Sequence, residues 1–556
     1  MPTVTINDKK LQVIAGCTVL EAARQAGVVI PTLCYHPDLS VDGSCRLCLV
    51  ELEGQSGQFA ACTLPVTDGM VVHTETPALS ESRRFVLEML LRRYADSDQV
   101  AENRDDTEFM RWVRLYGAKI PNKISNRPKY QVDSDPNPFV RVDLNKCILC
   151  TRCVRACAEI QGRFVWNVGY RGDESKIIAG LDTTMLEARC ESCGACAAYC
   201  PTGALDDKMS FGLGKPDRVV PTTCTYCGVG CGFNLNIKNE RVIRVTSNPA
   251  APVNGMALCV KGRYGFDFIH HADRLQRPRV RRYLLSGSSR RPEPRSDDCE
   301  WVDVDWDKAL EITASRLAAI KKESGPEAIG VLASAKCTNE ENYLMQKFAR
   351  QVIGTNNVDH CARLCHSSTV AGLAMAFGSG AMSNSMHDVA SQAKAIFIIG
   401  SNVTEQHPVF DSMIRQAVLR RGTQLVVADP RKIDITEFAT LHLRHRPGTD
   451  VALINGLMQI ILKNRWHDRR FIQERCEGFE EIPGHRRELH ARRDLLDNRC
   501  SPRTTSSGRR NSGSAKADGR YLGHGDYSTY YRRIQRPEPG QSANALGQHG
   551  QGRRRR

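Results

Sequence analysis

Sixteen of the 23 cysteines in this 556-residue chain sit in four groups at intervals suited to metal ligation. The groups are Cys34, Cys45, Cys48 and Cys62; Cys147, Cys150, Cys153 and Cys157; Cys190, Cys193, Cys196 and Cys200; and Cys224, Cys227, Cys231 and Cys259. Compact thiolate sets of this kind hold metals and stay reduced, which argues against disulfides and for a reducing, cytoplasmic setting. A further stretch, "NNVDHCARLCHSS" (356–368), pairs Cys361 with Cys365 and puts His366 beside the second thiol. A thiolate next to an imidazole offers a soft ligand and a proton acceptor near neutral pH. The interval itself fits a zinc site, a disulfide or a metal-bound nucleophile, so it does not rank the two cysteines.

Local elements must hold these groups in place. Ahead of the first, "TVTIN" and "LQVIAG" alternate like a hairpin, and Thr18 with Glu21 forms a capping box that starts a helix. Hairpin, helix and cysteine-bearing loop follow the order of a β-grasp ferredoxin, and four thiolates on a compact loop suit a [2Fe–2S] cluster. A zinc ribbon is the other chemistry open to that set. The ten residues between Cys34 and Cys45 make a longer gap than plant-type ferredoxins have. A helix is expected next, with Phe85, Val86, Met89 and Leu90 as its apolar stripe, then helix and solvated loop to residue 117. The second and third groups both read C-x2-C-x2-C-x3-C, and Pro201 closes the second run as in bacterial two-cluster ferredoxins. In that pattern the fourth cysteine of each run crosses to the other cluster. Cys147, Cys150, Cys153 and Cys200 are therefore expected on one [4Fe–4S] cube, and Cys190, Cys193, Cys196 and Cys157 on its mate. The fourth group fits a third [4Fe–4S] cube, with Gly228, Gly230 and Gly232 letting the backbone wrap closely. Lys261 follows two residues after Cys259; it reads either as a solvated surface lysine or as a cation that raises the cluster's potential and bridges to a neighbouring cofactor.

From 300 to 460 a helical pattern ("WDKALEITASRLAAIKKE") alternates with short apolar runs ("AIGVLASA", "AKAIFIIG", "TQLVVADP"). This alternation indicates parallel strands with crossover helices, an α/β arrangement that binds ligands at the carboxyl ends of its strands. The residues just past those ends are Gly400, Ser401, Asn402, Glu405 and His407, then Asp429 and Arg431. The fold class expected is thus multidomain α+β and α/β.

The net charge of +15 suggests nucleic acid, but residues 484–556 hold 17 Lys and Arg against 6 Asp and Glu. The body of the chain is close to neutral, and no nucleic-acid partner is expected. Arg, Ser, Gly and Gln dominate that tail, a composition that builds no core. The N-terminus carries no secretion-signal pattern, and no apolar run reaches the roughly 18–20 residues of a membrane span, so no direct membrane insertion is expected.

The ordered segments "CTYCGVGC…CVKGRYGFDFIHHADRL", "SAKCTNEENYLMQKFAR", "GTNNVDHCARLCHSSTVAGL" and "GSNVTEQHPV" resemble the molybdopterin oxidoreductase superfamily. With the N-terminal cysteine groups they look like the catalytic (alpha) subunit of a molybdenum- or tungsten-dependent, NAD-linked formate dehydrogenase. The resemblance implies a [2Fe–2S] β-grasp domain at 1–77, a helical linker without cluster ligands at 78–136 and a two-[4Fe–4S] domain at 137–212. A [4Fe–4S] domain at 217–273 and a partial molybdopterin-binding α/β domain at 274–483 follow. Many relatives carry a further His- and Cys-bound cluster near the linker, where this chain has no cysteine. By the same resemblance Cys365 is the ligand of the Mo or W centre, His366 its catalytic histidine and Lys261 the link to the nearest cluster. Gly400, Ser401, Asn402, Glu405, His407, Asp429, Arg431 and, in "RPGTD", Gly448 and Asp450 would contact a bis(molybdopterin guanine dinucleotide). Cys361, Cys17, Cys299, Cys337 and Cys476 are then expected as small buried residues. The implied activity is oxidation of formate to carbon dioxide, with a flavin- and iron–sulfur-containing diaphorase-type subunit reducing NAD+. Alternatives are a non-catalytic electron-transfer subunit resembling the large peripheral subunit of complex I, or an inactive fragment. Family members continue past the point where the tail begins, and residues 484–556 are read as a frameshifted or mis-terminated end.

Overall fold

The first strand, Thr3–Ile6, buries Val4 and Ile6 and turns its other side chains outward, the alternation of a half-buried strand. It pairs antiparallel with Lys9–Gln12 and parallel with Met70–His73. Leu49–Leu52 and Gln58–Ala60 complete a five-stranded mixed sheet. Thr18 and Glu21 cap each other at the start of the helix Val19–Gln25, whose Val19, Leu20, Ala22 and Ala23 bury against the sheet. A parallel central pair with one helix laid across it is the β-grasp arrangement, and its core includes Cys48 and Cys62.

The next helix, Pro77–Leu91, has Thr76 as N-cap and buries Leu79, Arg83, Leu87 and Leu91. Of the expected apolar stripe, Val86 and Leu90 pack half-buried against the core, whereas Phe85 and Met89 are 60% and 48% exposed. The buried face lies two positions away because Arg83 points inward: its Nη2 donates to the carbonyls of Leu49 and Thr74, both at 2.7 Å, and Nη1 pairs with Glu75 at 2.8 Å. Satisfied donors make a buried guanidinium tolerable, and an apolarity count does not see it. The helix Glu108–Leu115 follows.

Two antiparallel pairs frame the middle cysteine groups: Val140–Val142 with Leu205–Asp207, and Trp166–Gly169 with Lys176–Ala179. The short helices Arg152–Arg155 and Ala195–Tyr199 carry the cysteines inward. A three-stranded antiparallel sheet then runs Arg218–Thr223, Gly232–Lys238 and Arg241–Ser247, followed by the short helix Val260–Tyr264.

The computed structural model describes residues 1–94, 107–119, 129–287, 292–294 and 296–484. It forms two units: Met1–His270 with Val403–Arg421, and His271–Asn402 with the described residues from Gly422 onward. In the second unit the helix Trp306–Ser324 appears where the pattern placed it. Strands form at Val331–Ala333, Ala395–Ile399 and Gln424–Ala428, inside the three apolar runs. They belong to two separate parallel ladders, Val331–Ala333 with Val358–His360, and Ala395–Ile399 with Gln424–Ala428 and Leu441–Leu443. Neither Val358–His360 nor Leu441–Leu443 is a continuous apolar run, so neither stands out in the sequence. The larger ladder packs Ile399, Val426, Ala428 and Leu443 on Leu453 of the helix Asp450–Lys463. No described helix is long and apolar enough to cross a membrane. The reading of the tail falls on 484–556, of which all but residue 484 lie outside the described residues.

Candidate metal centres

In the first group the four thiols meet as two pairs. The hydrogen bond with Cys45 pulls the Cys34 thiol down to about 5, and the one with Cys62 pulls Cys48 down to about 7; Cys45 and Cys62 are driven up by the same contacts. Thiols crowded so closely that each shifts its neighbour's proton mark a place where a positive metal group would replace the protons. All four are buried.

The second and third groups are built alike. Leu149 and Thr151 lie in the left-handed region at φ 55° and 57°, and the matching positions of the other run, Ser192 and Gly194, lie at 53° and 71°. Each non-glycine residue there costs about 1–2 kcal/mol, so the turn is retained for what it aims. It points backbone N–H groups at sulfur: Leu149 N–H to Cys147 Sγ at 3.4 Å and Ser192 N–H to Cys190 Sγ at 3.3 Å. Val165 N–H reaches Cys157 Sγ at 3.3 Å. Such donors suit anionic sulfur. Gly194 also has a steric reason, since a Cβ there would lie 2.4 Å from Arg263 Cδ and from the Tyr264 hydroxyl.

Proximity follows the crossed pattern. Burial raises the Cys147 thiol to about 11 and also raises Cys150 and Cys153, with Cys200 adding to the rise in all three. Burial likewise raises Cys190 to about 11 and Cys196 well above the ordinary range, with Cys157 adding to both. Cys147, Cys150, Cys153 and Cys200 line one cavity. A second cavity is lined by Cys224, Cys227, Cys231 and Cys259 with Lys261 and Gly262. Burial there pushes Cys231 up to about 12, helped by Cys224, Cys259 and Cys227. Among the described residues, no three Cys, His, Asp or Glu side chains converge on a point that one metal ion could occupy. A cubane asks for the wider shell, each thiolate bound to a different iron. Donor type, spacing and convergence therefore fit polynuclear iron–sulfur groups.

Pro408 and Val409 close the cavity of the fourth group. Lys261, though exposed, donates from Nζ to the Glu405 carbonyl at 2.8 Å, and His407 Nε2 lies 3.9 Å from where a Cβ on Gly228 would be. Lys261, Glu405 and His407 thus gather beside this group, where the sequence placed only Lys261.

The other expected residues lie in the second unit. Gly400 follows the strand Ala395–Ile399, and its N–H donates to the Ala428 carbonyl at 3.0 Å; Ser401 and Asn402 come next, with Asn402 buried. Asp429 follows the neighbouring strand, 1% exposed, and accepts the Arg431 N–H at 2.8 Å. Gly448, at φ 84°, makes the turn into the helix Asp450–Lys463, and Asp450 Oδ1 bonds His445 Nε2 at 2.9 Å inside the core. These loops share the carboxyl edge of one parallel ladder. Cys365 ends the helix Ala362–Cys365, directly after the strand Val358–His360 of the other ladder; it is half-buried, and His366 follows with φ −143°.

Cys361 corrects the sequence reading. It is exposed, accepts a 3.2 Å bond from the Ala335 N–H, and that bond lowers its pKa. Cys337 and Cys476 are exposed as well, whereas Cys17 and Cys299 are buried as expected. The reason is positional: Cys361 and Cys337 lie in loops at strand ends, and Cys476 caps a helix with no buried residue.

Sequence reasoning passed over a set of arginines. Arg152 pairs with Glu108 at 2.6 Å and donates to the Tyr35 carbonyl, also at 2.6 Å. Arg415, 1% exposed, donates to the Gln161 carbonyl at 2.8 Å and pairs with Asp411 and Glu191. Their only trace in the sequence is basic residues inside otherwise apolar or cysteine-rich runs.

Comparison with known proteins agrees with this arrangement. Residues 1–77 match a 2Fe–2S iron–sulfur cluster binding domain, and 137–206 match the ferredoxin-like domain of NADH-quinone oxidoreductase subunit 3. Residues 217–271 match the molybdopterin oxidoreductase Fe4S4 domain and 274–546 the molybdopterin oxidoreductase family. Among curated relatives, "Probable oxidoreductase YjgC" of Bacillus subtilis is 32% identical over 86% of this chain and 51% of that protein. "Putative formate dehydrogenase SAB2186c" of Staphylococcus aureus is 31% identical over the same shares. The chain spans about half the length of the curated relatives it matches. Among solved structures, acetylene hydratase from Pelobacter acetylenicus is 24% identical over 52% of this chain and 38% of that one, with a TM-score of 0.44. An NAD+-reducing [NiFe]-hydrogenase chain is 33% identical over 37% and 87%, with a TM-score of 0.33. The chain thus carries a molybdopterin oxidoreductase domain, with Fe4S4 and 2Fe–2S iron–sulfur domains placed ahead of it.

Proposed function

We propose that this chain is the catalytic subunit of a molybdenum- or tungsten-dependent formate dehydrogenase. The observation that carries the reading is Cys365 with His366, held just past the carboxyl end of a parallel strand in a chain whose relatives include a protein named for that activity. When bound, a Mo or W bis(molybdopterin guanine dinucleotide) would supply the two-electron chemistry that takes formate to carbon dioxide, and the iron–sulfur clusters would carry single electrons. Cys365 would give the metal a soft thiolate. The His366 imidazole would hold or release a proton beside it. Gly400, Ser401, Asn402, Asp429 and Arg431, with Gly448 and Asp450, would bind the guanine dinucleotides at the carboxyl edge of their ladder. Lys261, with Glu405 and His407 beside it, would tune the cluster of the Cys224 group.

The four cysteine groups would hold one [2Fe–2S] and three [4Fe–4S] clusters, with the crossed assignment given above. Their domains follow one another in chain order, with the [2Fe–2S] group outermost in sequence. That end is where a diaphorase-type partner would take up electrons for NAD+, in the cytoplasm. Metal analysis of the purified protein should give Mo or W together with about fourteen Fe, two from the first cluster and four from each cube. Formate-dependent reduction of an artificial electron acceptor should follow. Protein replete in iron but free of Mo and W, and inert with formate, would favour an electron-transfer subunit.

A further inference from the structure

Six arginines are buried among the described residues: Arg83, Arg141, Arg152, Arg155, Arg263 and Arg415. Four have a carboxylate within 4.0 Å, namely Glu75, Asp143, Glu108 and, for Arg415, both Asp411 and Glu191. Arg155 and Arg263 have none among the described residues. An unneutralised guanidinium in a protein interior is strongly disfavoured, so an anion of another kind is expected beside each.

What these two arginines touch indicates which anion. Arg155 Nη2 donates to the Cys34 carbonyl at 2.6 Å and to the Cys150 carbonyl at 3.0 Å, and Nε reaches Thr151 Oγ1 at 3.2 Å. One nitrogen thus joins a cysteine of the first group to a cysteine of the second. Arg263 Nε donates to the Cys193 carbonyl at 2.8 Å, and its own N–H donates to the Cys259 carbonyl at 3.0 Å. The main-chain bond belongs to the helix Val260–Tyr264 that Cys259 caps, so the side chain ties the third group to the helix that carries the last cysteine of the fourth, with Nη2 on Ser247 Oγ at 2.9 Å. A planar fork fixes the separation of its acceptors in a way a lysine does not. A cluster bound by four thiolates is anionic, and a buried positive charge near it favours the reduced form.

We propose that Arg155 and Arg263 are positioning residues, each setting the spacing and the reduction potentials of the two clusters it joins. Arg155 serves the [2Fe–2S] cluster and the cube of Cys147, Cys150, Cys153 and Cys200. Arg263 serves the cube of Cys190, Cys193, Cys196 and Cys157 and the cube of the Cys224 group. The inference rests on the cluster assignment under Proposed function.

The test is a dithionite titration of the full-length, cluster-loaded protein followed by electron paramagnetic resonance, with iron content measured beside it. Arg155→Met should lower the potentials of the first two clusters and weaken the magnetic interaction between them, leaving the Cys224-group cluster at its wild-type potential. Arg263→Met should do the reverse. Arg155→Lys and Arg263→Lys should restore the potentials but not the interaction, because they return the charge without the fork. Unmoved potentials in iron-replete Met variants, or equal shifts at every cluster, would overturn the proposal. Where a Met variant loses iron, the Lys variant decides, and an unchanged magnetic interaction there overturns it too. Wild-type protein without a [2Fe–2S] signal would refute the cluster assignment and this inference together; intact wild-type signals with unmoved variants refute the inference alone.

Discussion

In the unit formed by Met1–His270 with Val403–Arg421, the cysteines are buried or half-buried, and even charged side chains such as Arg83 and Arg415 are enclosed and bonded. In the other unit the 19-residue helix Trp306–Ser324 and the helix Asn339–Lys347 contain no buried residue. Apolar side chains there stand open, with Leu332 82% and Met375 90% exposed. The first unit draws its order from cysteine loops, whose left-handed turns and N–H···S bonds hold whichever cofactor arrives. The second draws its order from parallel ladders, whose functional loops only converge once strands pair. The same donor chemistry thus has two kinds of support, and perturbing one should spare the other.

The largest effect expected is at Cys365. Cys365→Ala should abolish formate-dependent dye reduction while iron content and the electron paramagnetic resonance signals of the first unit stay at wild-type levels. Cys361→Ala, altering an exposed thiol four residues earlier, should keep most of the activity. Retained activity in Cys365→Ala would sink the assignment of the metal ligand. Loss of the iron signals would break the separation between the two units.

Next in size is the crossing of ligands. Cys200→Ser should remove the same cube as Cys147→Ser, and Cys157→Ser the same one as Cys190→Ser, each with a loss of about four Fe per chain. If Cys200→Ser instead matched Cys190→Ser, the two runs would each hold their own cluster.

Much of this was legible from cysteine spacing, because a ligand set imposes its interval on the chain whatever surrounds it. The capping box at Thr18 and Glu21 was equally plain, since both partners lie within one turn. The buried face of Pro77–Leu91 was not, because Arg83 is buried through acceptors at Leu49 and Thr74 that no local pattern reveals. The exposure of Cys361 was missed for a similar reason: burial belongs to the packed unit, not to residue type. Strands as short as Val358–His360 and Leu441–Leu443 escape a periodicity reading because three residues hold too few alternations.

Alkaline titration should also separate the units. In cluster-free protein the Cys147, Cys157 and Cys190 thiols are raised by burial to about 11, and Cys193 and Cys231 to about 12, from an ordinary value of 9.0. A raised value means the folded state holds protons that the unfolded chain gives up first. The stabilisation is complete below about pH 9 and is lost as pH climbs through 11 and 12. Circular dichroism should show the first unit melting earlier as pH rises through this window, and cluster loading should remove the dependence, because metal takes the place of the protons. A melting point flat from pH 8 to 11 in stripped protein would contradict the buried-thiol picture.

The smallest contrasts come from two ion pairs of similar sequence spacing. Arg415–Asp411 lies in the core of the first unit at 1% and 0% exposure, and Arg363–Asp359 lies on the surface of the second at 66% and 41%. Both join residues four apart, Asp411 with Arg415 inside the helix Pro408–Arg421 and Asp359 of the strand Val358–His360 with Arg363 of the short helix after it, so sequence spacing alone predicts equal worth. Burial makes the difference: removing Arg415 strands Asp411, whose carboxyl burial already raises, while Glu191 keeps its pairing with Arg163. Arg415→Met should therefore cost about 3–5 kcal/mol, read as a lower thermal midpoint. Restoring neutrality with Arg415→Met and Asp411→Leu together should recover part of it. Arg363→Met should leave the midpoint where it was, since water and salt already screen that pair. A drop in the Arg363→Met midpoint comparable to that of Arg415→Met would mean that Asp359 and Arg363 are enclosed when the protein is in solution, and the contrast between the units would narrow to their cysteines alone.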